Sequence, residues 1–198
     1  MAYAGQVIEN PVSGERITFR KTAADTNGEL LEIDLELAPD GHVPGMHVHP
    51  TQTERFEIIS GRMKFRKGLR KVEAEAGDVV VVEPGTIHKF ENGGDETAVV
   101  RVQVTPALEM ERLFETAVQL AEEGRTTKKG MPKPLDMALF VREFKNEVRG
   151  PGAPGWLQRA TLAPLAAIAK RRGRAERYES PEPAPAVAGY VPARPAIA

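Results

Sequence analysis

Apolar and polar residues alternate in short runs along the chain up to about residue 105. The clearest run extends from Leu31 to Leu37, where Leu and Ile alternate with three acidic residues. Alternation in period two places one set of side chains on one face of a β-strand. Two later runs, at 56–58 and 62–66, show the same alternation. Turns that contain Gly, Pro, Asn or Asp separate the runs. The pattern predicts an all-β domain, a barrel or a sandwich, over residues 1–105.

Two further runs complete the predicted set of strands. The run from Val79 to Val82 is uniformly apolar, which predicts a strand buried on both faces. The run from Ala98 to Val104 alternates valines with Arg101 and Gln103. We expect these two polar side chains on the outer face of the last strand, because the valines take the inner face.

The period changes to that of a helix after residue 105. Thr105 is a candidate N-cap, so the first helix is predicted over 106–124, with Pro at its first position and Gly at its end. A second helix is predicted from 134 to about 148. After a Gly- and Pro-rich linker at 150–155, a third helix is predicted over 161–172.

The helical part of the chain is not expected to form a domain of its own. Each predicted helix carries one apolar stripe, and three short helices make a thin core alone. We therefore expect residues 106–179 to pack on the β-domain or on the partner subunit of a homodimer. The basic cluster at 170–177 is interpreted as a solvated helix end, with a membrane-surface helix as the alternative. Residues 180–198 are mostly Pro and Ala, which predicts an extended or mobile tail.

Composition narrows the classes of partner and chemistry. Apolar residues make up 41% of the 198 residues and the formal net charge is −1, which favours a folded protein without a nucleic-acid partner. There is no Cys, so disulfides, thiolate metal sites and a Cys nucleophile are excluded. The sequence shows neither a secretion signal nor an apolar run long enough to span a membrane. We expect a cytoplasmic protein with no membrane partner.

The strongest chemical signal is the pair His47 and His49. Side chains two residues apart on a strand lie on the same face, as two ligands of one metal ion require. Glu54 shares the parity of the apolar residues of its strand, and His88 shares that of Phe90. An ionised carboxylate that faces the core is costly unless it is paired or bound to a metal. Taken singly, each residue has a simpler interpretation, as a hydrogen-bonded core histidine or a Glu paired with Arg.

Two motifs in this region resemble those of the cupin superfamily. The first, over residues 41–61, is Gly-x5-His-x-His-x4-Glu-x6-Gly, and the second, over 77–92, is Gly-Asp-x4-Glu-Pro-Gly-x2-His-x3-Asn. Glu83 stands where the second motif usually has Pro, at a turn position that is not a ligand. The resemblance covers about residues 30–105, and the helical segment resembles the tails of many bacterial single-cupin proteins.

The resemblance implies a fold and a set of ligands. The fold is a small antiparallel cupin β-barrel of jelly-roll type with a C-terminal α-helical extension. Gly61, Gly77 and Gly85 are turn glycines. The implied metal ligands are His47, His49, Glu54 and His88.

This ligand set predicts one divalent transition metal per chain. Imidazole and carboxylate ligands suit Fe, Mn, Ni, Co or Zn and leave two of six octahedral positions open. The metal is expected to act on a small-molecule substrate as a Lewis acid, and Glu54 is a candidate catalytic base if it leaves the metal. His42 lies outside the motif spacing and is expected in a loop.

The leading hypothesis for function is a metal-dependent cupin enzyme, with an oxygenase as the first reaction class. The second enzymatic hypothesis is a non-redox isomerase, cyclase or lyase. The alternative outside the enzymes is a non-catalytic metallo-cupin that binds or senses a small molecule. The inner faces of the strands predict a largely apolar pocket for that molecule. Its predicted walls are Ile33, Leu35, Phe56, Ile58, Met63, Phe65 and Phe90.

Overall fold

The computed structural model describes residues 2–178, so the tail predicted at 180–198 lies outside the described residues. This part of the chain forms β-strands first and helices afterwards. The strands are β1 Val7–Asn10, β2 Glu15–Lys21, β3 Leu31–Leu37, β4 Thr53–Ser60, β5 Arg62–Lys67, β6 Arg70–Glu75, β7 Val79–Val82, β8 His88–Asn92 and β9 Ala98–Thr105. The α-helices are α1 Met110–Glu122, α2 Pro134–Glu143, α3 Gly155–Thr161 and α4 Ala163–Arg171, followed by a 3-10 turn at Glu176–Tyr178.

The strands form two antiparallel sheets, which confirms the antiparallel β-structure of the predicted fold but not the barrel. The larger sheet has the order β1-β2-β3-β9-β4-β7, and the smaller has the order β6-β5-β8. Within residues 2–178 the two ladders do not join into one closed barrel. Tight turns carry the chain from one sheet to the other, and Gly61 makes the turn from β4 to β5 at φ 81°. A Cβ at this glycine would lie 2.7 Å from Ala98 Cα, so the turn requires Gly.

The prediction that Val79–Val82 is buried on both faces is wrong. β7 pairs only with β4 and therefore forms the edge of the larger sheet. Val80 and Val82 are buried, whereas Val79 is 47% exposed. A uniformly apolar run can come from an edge strand as well as from a central one, because its position in the sheet depends on pairing with distant residues.

The first helix begins four residues later than predicted. Thr105 is the last residue of β9 and pairs with Thr53, so it does not cap a helix. The buried side chain of Gln52 donates hydrogen bonds to the carbonyls of Pro106 and Ala107, which ties these residues to the start of β4. Helix α1 follows this anchored segment, with Met110 as its first residue.

The later helices also differ from their predicted bounds. Helix α2 ends at Glu143 instead of about Val148, because the chain leaves it to pair Arg149 with Val48. The helix predicted over 161–172 corresponds to α4, whereas α3 was not predicted; the two helices meet at Leu162. Pro164 lies in the first turn of α4 and cannot donate the hydrogen bond that a continuous helix needs.

One apolar core connects the sheets and the helices. It contains the inward residues of β3 and β9 together with Leu120 of α1, Ala138 of α2 and Ala169 of α4. Helix α1 packs against β1, and α2 packs against α4. Among residues 2–178 no helix has the length and apolar character needed to cross a membrane. The domain boundary at 105 and 106 stays a prediction.

Candidate metal centre

The segment that carries His47 and His49 is held in place on both sides. His47 exchanges backbone hydrogen bonds with His88, at 3.0 and 2.9 Å between N and O. Val48, between the two histidines, exchanges backbone hydrogen bonds of 3.0 Å with Arg149 from the segment after α2. The extended backbone of this segment points both imidazoles to the same side, as the sequence predicted.

Glu54 and His88 reach the same place from the two sheets. Glu54 lies in β4, where its neighbours in the ladder are Val82 and Val104, and only 4% of it is exposed. His88 is the first residue of β8 and is fully buried. The structure thus brings all four predicted ligand residues into one group, the metal group, whose potential ligand atoms lie within 4.8 Å of one another.

The imidazoles present the same nitrogen to the group. The Nδ1 atoms of His47 and His88 each lie 3.0 Å from the backbone carbonyl oxygen two residues earlier, and Nδ1 of His49 faces the carbonyl of Glu147. A carbonyl oxygen only accepts hydrogen bonds, so each Nδ1 carries a proton and Nε2 is the atom that each ring can offer to a metal ion. Backbone carbonyls fix the tautomer of metal-binding histidines in this way.

The metal group fits a cation better than it fits a hydrogen-bonded core. Nε2 of His49 is buried without a hydrogen-bond partner, although Oε2 of Glu54 lies 3.4 Å away. Nε2 of His88 lies 2.8 Å from the same oxygen. Ligands at about 2.1 Å from one metal and at right angles to one another lie roughly 3 Å apart, which is close to both distances. A metal ion would use the lone pairs that these atoms otherwise turn toward one another.

The electrostatics of the group show how its side chains depend on one another. Burial, together with the imidazoles of His88 and His49, lowers the pKa of His47 to about 4. Burial opposes protonation of His49, but Glu54 and the Glu147 carbonyl outweigh it and raise the pKa of His49. Burial also opposes ionisation of Glu54, yet the two neighbouring imidazoles hold the pKa of its carboxyl well below the usual value. Glu54 is therefore a carboxylate in the fold.

A cavity of about 440 Å³ opens next to the metal group. His47, His49 and Glu54 line it, whereas His88 lies behind them. The side of the cavity formed by the strands and the 43–49 loop is called the sheet wall, and the side formed by residues 110–162 is called the helical wall. Four of the six methionines of the chain line the cavity, namely Met46, Met110, Met131 and Met137. Flexible thioether side chains adapt to ligands of different shape.

The predicted pocket walls are correct in part. Ile33, Leu35, Phe56 and Phe90 line the cavity, but Ile58, Met63 and Phe65 do not. The last three are buried in the core between the two sheets, where Phe65 packs edge-on against Phe56 with ring centroids 5.1 Å apart. The helical wall, which encloses the other side of the cavity, was not predicted as a part of the site.

Several residues outside the metal group also have clear positions. His42 lies in a loop and bridges to Glu91, as expected for a residue that is not a ligand. Arg101 lies on the outer face of β9 and pairs with Asp34 at 2.9 Å. Sequence reasoning missed Glu15, which lines the cavity from β2 and shares the inward parity of Ile17. That parity is visible in the sequence and is the signal that could have found it.

The fold and the metal group define a small antiparallel β-protein with a His3Glu site beside an apolar cavity. Residues 34–104 match the family model described as the cupin domain. This stretch contains all four residues of the metal group. Residues 34–104 therefore resemble a cupin domain, in agreement with the resemblance of the two motifs.

Solved structures resemble about half of the chain. A predicted oxalate decarboxylase from Thermotoga maritima is 19% identical over 54% of this chain and 98% of that chain, with a TM-score of 0.47. An RmlC-like cupin from Shewanella frigidimarina is 17% identical over 56% and 94%, with a TM-score of 0.46. An uncharacterized protein with a double-stranded β-helix domain from Klebsiella pneumoniae is 19% identical over 54% and 83%, with a TM-score of 0.41. No curated protein matches the sequence.

Proposed function

We propose that the protein is a metal-dependent enzyme that acts on a small, largely apolar organic molecule, with oxygenase chemistry as the first reaction class. One observation carries this proposal. Four potential ligand atoms within 4.8 Å of one another adjoin a cavity whose other walls are mostly apolar. A hydrophobic pocket with a few converging polar groups is the usual form of a small-molecule site.

Different residues would bind the metal ion and the substrate. His47, His49, His88 and Glu54 would hold one divalent ion. When bound, the ion supplies a Lewis acid and open coordination positions for an oxygen atom of the substrate or for dioxygen. Because three of these side chains line the cavity and His88 lies behind them, a substrate reaches the group from the side of the first three. The apolar walls exclude water and strengthen electrostatic interactions at the site.

Glu54 also has a proposed second role as a base. Its Oε2 atom lies 2.8 Å from Nε2 of His88 and 3.4 Å from Nε2 of His49, which favours the ligand role in the resting protein. With a pKa held well below the usual value, the carboxylate is ionised at neutral pH but is a weak proton acceptor. The role as a base stays a prediction.

The reaction class is tested by turnover under controlled gas and metal. Metal-free protein is reloaded separately with Fe, Mn, Ni, Co or Zn and incubated with small enolisable and phenolic compounds, both anaerobically and in air. Turnover that requires oxygen supports the oxygenase. Turnover without oxygen indicates isomerase, cyclase or lyase chemistry, and saturable binding of an unchanged compound indicates the non-catalytic alternative. Turnover that survives both metal removal and His88→Ala would contradict the placement of the active site.

The homodimer is part of the same proposal. Small barrels of this family commonly pair through a sheet, and Leu69 and Ile59 are exposed apolar residues of the β-domain, at 94% and 46%. Light scattering on the full-length protein is the test. A mass of one chain would reject the dimer and leave the proposed chemistry unaffected.

A further inference from the structure

The inner face of β2 carries one acidic side chain, Glu15. It shares this face with Ile17 and Phe19, which are 4% and 0% exposed. In the ladder with β3, Glu15 is opposite Leu37, another fully buried inward residue. The register therefore turns the carboxyl of Glu15 toward the cavity, which Glu15 lines together with Asn10 of β1.

Glu15 is positioned by hydrogen bonds but has no cationic partner. The buried hydroxyl of Ser13 donates a hydrogen bond to its Oε2 atom. Asn10 holds Ser13 in place, since its Oδ1 atom accepts a hydrogen bond of 3.2 Å from the Ser13 backbone N–H. Within residues 2–178 no Lys or Arg lies within ion-pair distance of Glu15, and the titratable side chain that acts on it is His42.

The surroundings of Glu15 bring the pKa of its carboxyl close to neutral pH. Burial raises the pKa of Glu15 to about 7, although the Ser13 hydroxyl and His42 favour the ionised form. The residues opposite it in the neighbouring strands, Asn10 and Leu37, are uncharged. Glu15 is half-buried, and a carboxylate in such a site without a cation is left short of partners, which a bound ligand can supply.

Glu15 and Glu54 of the metal group lie at opposite ends of the larger sheet. In the larger sheet Glu54 pairs with Val104, which in turn pairs with Leu31 of β3. Glu15 pairs with Leu37 of the same strand. Leu31 and Leu37 are the two ends of β3, about 20 Å apart at the usual rise of a strand. Apolar side chains such as Ile33, Leu35 and Val102 line the cavity between these ends.

We propose that Glu15 is the recognition group for the far end of the substrate, where it binds a hydrogen-bond donor, either a hydroxyl or a protonated amine. The substrate is then an elongated molecule with an oxygen function at one end, an apolar middle and a donor group at the other end. The part of this inference that concerns the oxygen function rests on the proposed function. The part that concerns the donor group rests on Glu15 alone.

The test compares three six-carbon probes that differ only in their head groups: hexylamine, 1-hexanol and hexanoate. Their affinities are measured at pH 8 on the full-length protein, both as purified and after chelation, so that failure of the metal site does not affect the result. Hexylamine should bind about tenfold more tightly than hexanoate, because a hydrogen bond to a charged group contributes about that much. In NMR spectra the amide shifts should change in β2 and not in β4.

The matched variants are Glu15→Gln and Glu36→Gln. Glu36 lies on the outer face of β3 and pairs with Arg16, so its variant tests a loss of negative charge at the same end of the sheet. Glu15→Gln should remove most of the preference for hexylamine, and Glu36→Gln should keep it. If Glu15→Gln does not fold, the affinity of the unaltered protein for hexylamine should still rise with pH through about 7. Equal affinity for the three probes, or shifts confined to β4, would overturn the proposal.

Discussion

The sheet wall and the helical wall enclose the same cavity but contribute different chemistry. The sheet wall carries the candidate metal ligands and the acidic groups, among them Glu15, His47, His49 and Glu54, whereas Arg149 is an ionisable residue of the helical wall. The helical wall is mostly apolar, and Met110, Phe114, Met137 and Phe140 are typical of it. Chemistry and shape are thus assigned to separate parts of the chain, so that one can change with little effect on the other.

The two walls are also stabilised differently. Each strand of the sheet wall is held by backbone ladders, which fix the position of a side chain to within a pleat. Helices α1 to α4 have no side-chain hydrogen bond at their N-caps, so tertiary packing supplies most of their stability. The helical wall is therefore the part whose packing is expected to respond to a ligand.

One of the connections between the two walls lies directly behind a predicted ligand, His49. The carbonyl of Glu147 accepts the Nδ1 hydrogen bond of His49, and Arg149 pairs with Val48. These residues follow α2, and the hydrogen bond joins positions 98 residues apart in sequence. The helical half therefore supports the orientation of His49, one of the predicted metal ligands, as well as the shape of the cavity.

The largest effect is expected from removing ligands of the sheet wall. Protein made without added metal should contain close to one divalent transition metal per chain, and His47→Ala with His49→Ala should contain almost none. Metal affinity should fall by more than the roughly 10- to 100-fold that follows the loss of a residue that is hydrogen-bonded to a metal ligand. Elemental analysis is the measurement, with His42→Ala as the control that keeps its metal. Equal metal in all three proteins would show that the metal group binds none.

A second test asks whether the helical wall supports the metal group. Phe144 is fully buried, its ring lies 4.9 Å from the Arg112 guanidinium, and its carbonyl accepts the backbone N–H of Glu147 at 3.2 Å. Phe144→Ala should lower the free energy of unfolding by about 3–5 kcal/mol and metal affinity by about tenfold. Denaturant unfolding and metal titration are the measurements.

The matched control is Phe19→Ala, which removes an equally buried ring from β2. It should cost a similar free energy of unfolding, about 3–5 kcal/mol, but leave metal affinity unchanged. If both variants lower metal affinity to the same extent, the effect follows global stability, and the link through Glu147 has no separate role.

A third and smaller effect is expected from chelation. A metal at about 100 times its dissociation constant stabilises the fold by about 2.7 kcal/mol, which corresponds to a fall in Tm of about 5–10 °C on removal. The double variant of His47 and His49 should show no such response, and Glu54→Gln should show a weaker one. If the two walls are coupled, chelation should increase the rate of amide hydrogen exchange both in β4 and near Arg149. A chelator that removes the metal without changing Tm would show that the site and the fold are independent.

The metal group was the part of the site that sequence could predict best. His47, His49, Glu54 and His88 are each identified by parity within a short segment, and parity is a local property. The β class of the domain followed from the same period, and the antiparallel arrangement from the resemblance of the two motifs to those of cupins. The position of Val79 at an edge could not be predicted in this way, because it depends on which strand lies beside β7.

The contribution of the helices could not be read from their periodicity. An apolar stripe predicts that a helix packs, but not what it packs against, so Met110 and Phe140 gave no sign of lining a cavity. The start of α1 was displaced by the contacts of Gln52 with the chain after β9. The support of His49 comes from the backbone carbonyl of Glu147, so the identity of the Glu147 side chain gives no sign of it. Glu15 was predictable from its parity and shows that inward acidic residues need the same attention as histidines.

The smallest effect is expected from Glu15. It tests whether this residue of the sheet wall favours ligand binding at a cost in stability. Its pKa is raised from 4.5 to about 7 in the fold, so the folded state prefers the protonated form. The stability from this preference is present below pH 4.5 and is lost as the pH rises through about 7. Glu15→Gln should therefore raise the free energy of unfolding by about 1–3 kcal/mol at pH 8 and change it little at pH 4. Thermal unfolding at both pH values is the measurement, and Glu36→Gln, which loses its ion pair with Arg16, should not gain stability at pH 8. A Glu15→Gln variant that is destabilised at pH 8 would mean that the carboxylate is satisfied by the protein itself, and that the sheet wall holds no group waiting for a ligand at that end.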